Sequence, residues 1–366
     1  MTRDELKKLS VIVLAGGWSD EHEISLQSGE EVKKALKQAG FEKVELLDIA
    51  LPGAIEKLVK GSYDVAFVAM HGHYGEDGCI QGLLEILHIP YTFSGVLASA
   101  MGTEKEVSKL MYKQAGIPVP KGIDVSAGTK FTDEEIEQIV TDLGLPIFVK
   151  PAANGSSFGV TRVTSKDQLL QAIEDAGAQG DRVLIEECVA GTEITVPVIG
   201  NDHPTALPIV EIVFEDEFYS IEVKAEPASL HHITPARLAP DVYARAQELA
   251  ICAHKALGCR GVSRSDFIVK ADGTPVILET NMIPGMTERS LIPDSARTDG
   301  IPFSELCTRF IDNFPNARTF LLGKCTHTTK ECRHLSFFSQ KLNTNITEFS
   351  EIICLLGNRC PGAFPE

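Results

Sequence analysis

Residues 264 to 281 read Arg264-Ser-Asp-Phe-Ile-Val-Lys-Ala-Asp-Gly-Thr-Pro-Val-Ile-Leu-Glu-Thr-Asn281, two alternating apolar and polar runs separated by Asp272-Gly273. Alternation of this kind marks half-buried strands, and Asp-Gly is a favoured two-residue hairpin turn. Pairing outward from that turn predicts Lys270 opposite Pro275, Ile268 opposite Ile277, Asp266 opposite Glu279 and Arg264 opposite Asn281. Since side chains alternate along a strand, Arg264, Asp266, Glu279 and Asn281 then share one face. Two carboxylates opposed on a sheet repel by up to ~1 kcal/mol unless something neutralises them. A cation would do so, and an all-oxygen set of Asp, Glu and Asn suits Mg2+ bridging phosphates better than zinc or copper. Arg264 would then hold an anion. The alternative is an exposed Arg-Asp and Glu-Asn ladder on a solvated hairpin.

Upstream, Val11 to Gly17 reads as a buried strand running into a glycine turn, with an amphipathic helix from about Ser25 to Ala39. A strand from Val65 to Met70 and a helix from Ile80 to Leu87 complete a small α/β unit. The sequence becomes helical from Ser99 to Ala115, until Gly116-Ile-Pro-Val-Pro120 breaks it. A strand at 147–150, a glycine loop at 154–159, a strand at 160–163, a helix at 166–176 and a strand at 183–187 follow. The segment to Phe314 alternates strands with a long helix from Pro240 to Leu257. The chain divides on this basis into an N-terminal α/β domain at 1–100, a central domain at 101–190, a C-terminal domain carrying the hairpin at 191–314, and an atypical tail at 315–366. The tail carries Cys325-x-His327 and Cys332-x-His334, whose spacing fits no common zinc finger, and it lacks helical or strand periodicity.

No G-x-x-x-x-G-K-[ST] loop is present, so phosphate would have to be gripped another way. Lys150 ends an apolar strand, and Asn154-Gly-Ser-Ser-Phe-Gly159 offers backbone N–H groups and two hydroxyls that can fold over phosphates, or equally an ordinary turn. Glu186 and Glu193 bracket a strand end where carboxylates can accept from an adenine amino group and ribose hydroxyls, or simply be solvated. Lys105, Lys150 and Lys224 could supply positive charge to a chain whose formal net charge is −17. That acidity argues against nucleic acid or an anionic membrane as partner.

Taken together, Lys105, Lys150, the Gly-Ser-Ser-Phe-Gly loop, Glu186, Glu193, Lys224 and the 264–281 hairpin resemble the ATP-grasp fold. Their order and spacing are similar to those of D-alanine:D-alanine ligases. The resemblance extends over about residues 10 to 314, through Ala15-Gly-Gly, Glu21-His-Glu-Ile-Ser, Met70-His-Gly, Gly75-Glu-Asp-Gly and Met282-Ile-Pro-Gly-Met-Thr-Glu-Arg-Ser-Leu291. It implies an α/β (α+β) ATP-grasp architecture with an N-terminal Rossmann-like domain. By the same resemblance, Lys105, Lys150, Glu186, the backbone at Val189, Glu193 and Lys224 hold ATP. Asp266, Glu279 and Asn281 bind two Mg2+ ions, with Mn2+ as a possible substitute. Glu23 accepts the first substrate's ammonium with His71 and Ser156 nearby, Arg264 and the Gly285 N–H stabilise an oxyanion, and Ser290 and Leu291 receive the second substrate's carboxylate. The implied reaction joins two D-alanines through an acyl phosphate, for peptidoglycan precursor synthesis.

A homodimer is implied in the same way. Ala225 departs from the tyrosine many members carry after the phosphate lysine, which leaves D-lactate or D-serine as alternative acceptors. A non-catalytic nucleotide-binding protein is the alternative from a different class. With 43% hydrophobic and 23% charged residues, no apolar run of the ~18 residues a membrane span needs, and nine cysteines without a C-x-x-C pair, the chain reads as cytoplasmic with reduced thiols.

Overall fold

The computed structural model describes residues 1–152, 159–214 and 230–313. The predicted positions Ser156, Lys224 and Ala225, with residues 154–158 of the glycine loop and the tail, lie outside the described residues.

A short capped helix, α1 (Arg3–Leu6), leads into β1 (Ser10–Ala15), α2 (His22–Gln38), β2 (Lys43–Asp48), α3 (Ala54–Lys60) and β3 (Val65–Val68). The three strands are parallel in the order β2-β1-β3. β1 and β3 are apolar almost throughout because both faces of the sheet are covered. Gly29 lets α2 lie flat on the sheet: a Cβ there would stand 2.6 Å from the Ala15 Cβ and 2.7 Å from the Leu46 Cδ1. The close approach turns Ser25 and Ser28, four residues and one residue before Gly29, into buried contacts with the strand ends.

After α4 (Cys79–Ile86), the single helix expected from Ser99 to Ala115 proves to be two, α5 (Val96–Thr103) and α6 (Lys105–Gln114). Glu104 between them is extended, at φ −82° and ψ 100°. The break frees the Lys105 N–H to donate to the Ala152 carbonyl, 3.1 Å away at the end of the central sheet. Apolar periodicity runs on through both helices, so it cannot reveal a hydrogen bond supplied from another element.

The central unit comprises β4 (Gly122–Ser126), α7 (Asp133–Leu143), β5 (Ile147–Pro151), β6 (Thr161–Val163), α8 (Lys166–Gly177) and β7 (Arg182–Glu187). Its antiparallel sheet, β4-β7-β5-β6, buries Ile147, Val149, Val183 and Ile185 against Ile136, Ile139, Leu169 and Ile173 of the two helices as a separate core. Alternation sends Lys150 and Glu186 to the opposite face.

The remaining elements are β8 (Thr192–Ile199), β9 (Thr205–Ala206), β10 (Val210–Phe214), β11 (Leu230–Ile233), α9 (Pro240–Ala256), β12 (Val262–Val269), β13 (Pro275–Asn281), α10 (Leu291–Thr298) and α11 (Phe303–Asp312). The strands form a second antiparallel sheet, β11-β10-β8-β12-β13, with β9 paired to β8. Its core is continuous with that of the N-terminal sheet. Phe67 and Phe93 meet edge to face at 5.3 Å, and Phe310 of α11 packs on Phe93 at 5.2 Å. Arg3 adds a bidentate ion pair to Glu305.

The β12–β13 hairpin corrects the predicted register at one end. Gly273 is left-handed at φ 84°, its N–H donates to the Lys270 carbonyl, and the Lys270 N–H donates to Thr274, so the loop has three residues rather than two. Val269 therefore faces Pro275 and Ile268 faces Val276, one residue off the predicted pairing. A bulge at Leu278 inserts the missing residue. Beyond it the expected pairs, Asp266 with Glu279 and Arg264 with Asn281, are restored.

Candidate active site

Helix α6 is the joint of the site. Lys105 and Lys109, one helical turn apart, share a face. The Lys105 ammonium lies 3.3 Å from Glu279 on β13, and that of Lys109 contacts Glu186 on β7. Lys150 on β5 reaches the same Glu186 at 2.7 Å. Three lysines and two carboxylates, from α6 and from both antiparallel sheets, thus converge where little water enters. Burial, together with the charge of Lys105, lowers Lys150 to about 8, partly offset by Glu279. Burial also holds Lys109 well below the usual lysine value, with the Lys150 and Lys105 charges adding to it. Such a cluster is primed to take an anion, because an incoming phosphate relieves the repulsion among the ammonium groups.

On the hairpin, the Arg264 guanidinium, expected to face a substrate anion, lies on Asp266 instead: Nε donates to Oδ1 at 3.0 Å and a terminal nitrogen to Oδ2 at 2.8 Å. Thr195 donates to Asp266 Oδ1, and Asn281 donates to Oδ2 at 3.1 Å. Repulsion between Asp266 and Glu279 is therefore compensated by Arg264 on one side and Lys105 on the other. The oxygen-rich set still fits a hard cation. Asn281 spends its amide nitrogen on Asp266 and so keeps its oxygen for another partner. Among the described residues no cluster of three or more His, Cys, Asp and Glu side chains could hold a metal unaided. A cation here would need oxygens from a phosphate, which is the usual habit of Mg2+.

The remaining predicted residues fall in three places. Glu193, at the start of β8 and opposite Ile268, and Val189 in the preceding turn are both partly buried. Gly285 and Ser290 come together in the loop after β13: a Cβ at Gly285 would stand 3.1 Å from the Ser290 Oγ. Ser290 accepts from the Thr287 N–H at 3.1 Å, and Leu291 opens α10. His71, 5% exposed at the end of β3, has Nδ1 3.0 Å from the Ile283 carbonyl, which ties the N-terminal unit to that loop. Burial pulls His71 down, but its contact with Glu76 and the charges of Glu76 and Glu21 prevail and raise it.

Glu23 is not brought to this group. Its side chain is 90% exposed and 3.3 Å from His22, while Glu21 lies beside Gly72. Two residues before Ser25, whose face is buried, Glu23 falls about 160° round the helix and points outward. Sequence reasoning missed Lys109, Thr195, Glu76 and Ser28. The Lys105-x-x-x-Lys109 spacing was the available signal for the first, whereas the others depend on contacts between distant elements.

Two antiparallel sheets with lysines and carboxylates converging between them define an ATP-grasp enzyme, and solved structures bear this out. The crystal structure of D-alanine--D-alanine ligase from Bacillus anthracis complexed with ATP is 31% identical, with a TM-score of 0.72, covering 86% of this chain and 99% of that one. The VanG D-Ala:D-Ser ligase from Enterococcus faecalis is 29% identical, with a TM-score of 0.71 over 83% and 99%. Within that class, the family models for the D-ala D-ala ligase C-terminus and N-terminus match residues 111–312 and 51–94. The D-alanine--D-alanine ligase of Desulforamulus reducens is 44% identical over 307 residues, 83% of this chain and 97% of that protein. That of Carboxydothermus hydrogenoformans is 41% identical over 306 residues, at the same coverage. The chain belongs to the D-alanine:D-alanine ligase family.

Proposed function

We propose that this protein joins two molecules of D-alanine into D-alanyl-D-alanine with cleavage of ATP. The observation that carries the reading is the convergence of Lys105, Lys109 and Lys150 with Glu186 and Glu279, next to the Arg264–Asp266 pair. A carboxylate oxygen of the first D-alanine attacks the γ-phosphorus, the bond to the β-γ bridging oxygen breaks, and ADP leaves. The amino group of the second D-alanine then attacks the acyl phosphate carbonyl, loses a proton, and expels inorganic phosphate as the peptide bond forms. Lys105 and Lys150 balance the phosphate charge. Arg264, moving off Asp266, and the Gly285 N–H hold the oxyanion, while Ser290 and Leu291 orient the acceptor carboxylate. Glu23 lies on the outward face of α2, away from the site of the first ammonium, whereas Glu21 lies on the side of Gly72 and His71. Asp266, Glu279 and Asn281 would hold two Mg2+ ions, whose chemistry is neutralisation of phosphate oxygens.

A D-serine or D-lactate acceptor is the second reading. The overall fold does not separate the two, since a D-Ala:D-Ser ligase matches nearly as well as a D-alanine ligase. Curated relatives at 41–44% identity are D-alanine ligases, which favours D-alanine. No helix among the described residues is long and apolar enough to cross a membrane, which agrees with a cytoplasmic enzyme supplying peptidoglycan precursors. A homodimer is part of the same proposal, and sedimentation measures it.

The deciding experiment is ATP-dependent phosphate release and product analysis with D-alanine, D-serine and D-lactate. D-Alanine should support release and dipeptide formation, and Asp266→Asn and Glu279→Gln should each lower kcat by about a hundredfold or more. Binding of ATP with no phosphate release in the presence of D-alanine and Mg2+ would overturn the enzyme reading.

A further inference from the structure

We infer that Ser28 is a positioning residue for the Gly285 backbone, acting with His71 as a clamp that fixes the loop carrying the oxyanion donor. The Ser28 Oγ, fully buried on α2, lies 3.1 Å from His71 Nε2 and accepts from the Met286 N–H at 3.4 Å. On the other side of the ring, Nδ1 is 3.0 Å from the Ile283 carbonyl. These four groups have only one consistent proton arrangement when the imidazole is neutral. A carbonyl can only accept, so Nδ1 carries the proton and donates to Ile283. Nε2 then offers a lone pair and the Ser28 hydroxyl donates to it, whereas in the protonated ring Nε2 donates to the Ser28 oxygen; in both forms that oxygen accepts from Met286.

Ile283 and Met286 flank Pro284-Gly285, so the chain Met286 N–H, Ser28, His71, Ile283 carbonyl closes a ring around the Gly285 peptide. The anchors come from the N-terminal unit, whereas the loop they hold follows β13 of the C-terminal sheet. Gly285 itself has no side chain to fix its orientation. An oxyanion donor contributes only if it is already aimed when charge develops, and this ring supplies the aim.

The effect on turnover rests on the ligase reading, but the clamp does not, so the two are tested separately. Amide hydrogen exchange of the 283–290 segment, without substrates, should speed up by about tenfold or more in Ser28→Ala while the core strands stay protected. In steady-state assays, kcat should fall by about tenfold to a hundredfold in Ser28→Ala, with KM for ATP changed less than about twofold. Ser28→Cys keeps the volume but replaces the hydroxyl with a weak donor and acceptor, so it should behave like Ser28→Ala, with a thermal midpoint close to wild type. Wild-type exchange at 283–290 in Ser28→Ala, or wild-type kcat in Ser28→Cys, would overturn the inference. Absence of turnover in the unmodified protein would instead reject the ligase reading and leave the exchange result to decide the clamp.

Discussion

At the scale of single residues, the site is governed by how few waters reach its lysines. Lys150, paired with Glu186 at 2.7 Å, loses its proton near pH 8 in the ATP-free protein. A phosphate prefers the ammonium form, so ATP capture weakens as pH rises through that value. kcat/KM for ATP, which reports groups of the free enzyme, should decline above about pH 8, by at most about tenfold per unit. Lys150→Met should give a lower profile without that limb, and initial rates from pH 6.5 to 9.5 measure both. The stability consequence has the opposite sense. Between about 8 and the ordinary 10.5, the unfolded lysine holds more proton than the folded one, so this group makes stability rise with pH across that window.

Among the elements, α2 and the β12–β13 hairpin carry the heaviest geometric demands. Because α2 rests on β1 and β2 through Gly29, its register against the sheet sets the depth of Ser25 and Ser28. Gly29→Ala would force a methyl into space held by the Ala15 Cβ and the Leu46 side chain. It should cost about 1–3 kcal/mol in urea unfolding, after subtraction of the helix-propensity gain, and reduce turnover by shifting Ser28. The hairpin shows how local reading can be right for an incomplete reason. Asp272-Gly273 does mark a turn, but the three-residue loop displaces the register by one, and the Leu278 bulge displaces it back before Glu279.

On the scale of the molecule, two cores set two degrees of independence. The N-terminal and C-terminal sheets share one core, in which Phe67 of β3, Phe93 and Phe310 of α11 pack together, whereas the central sheet has its own. Phe310→Ala should destabilise the protein by about 3–4 kcal/mol. Hydrogen exchange should accelerate in β1, β3 and α11 while β5 and β7 keep their protection. Equal loss of protection in all three sheets would show that the central unit depends on the shared core.

What the sequence determined by itself was a set of elements, β1, α2, β3, α4, β5, β6, α8, β7 and α9, the presence of a turn at Asp272-Gly273, and the pairing of Asp266 with Glu279 and Arg264 with Asn281. These follow from local periodicity and turn chemistry, which act over a few residues. The same reach explains why Lys105, Lys150 and Glu186 could be singled out, although each on its own could equally have been a surface charge. Only the tertiary structure decided that Lys109 completes their cluster, that Arg264 rests on Asp266, and that Glu23 points to solvent. Ser28, placed at 286's amide and His71's ring, has no signature in its own neighbourhood at all. Partners more than two hundred residues apart meet because two sheets share a core, and a hydrogen bond across that join leaves no period in either segment.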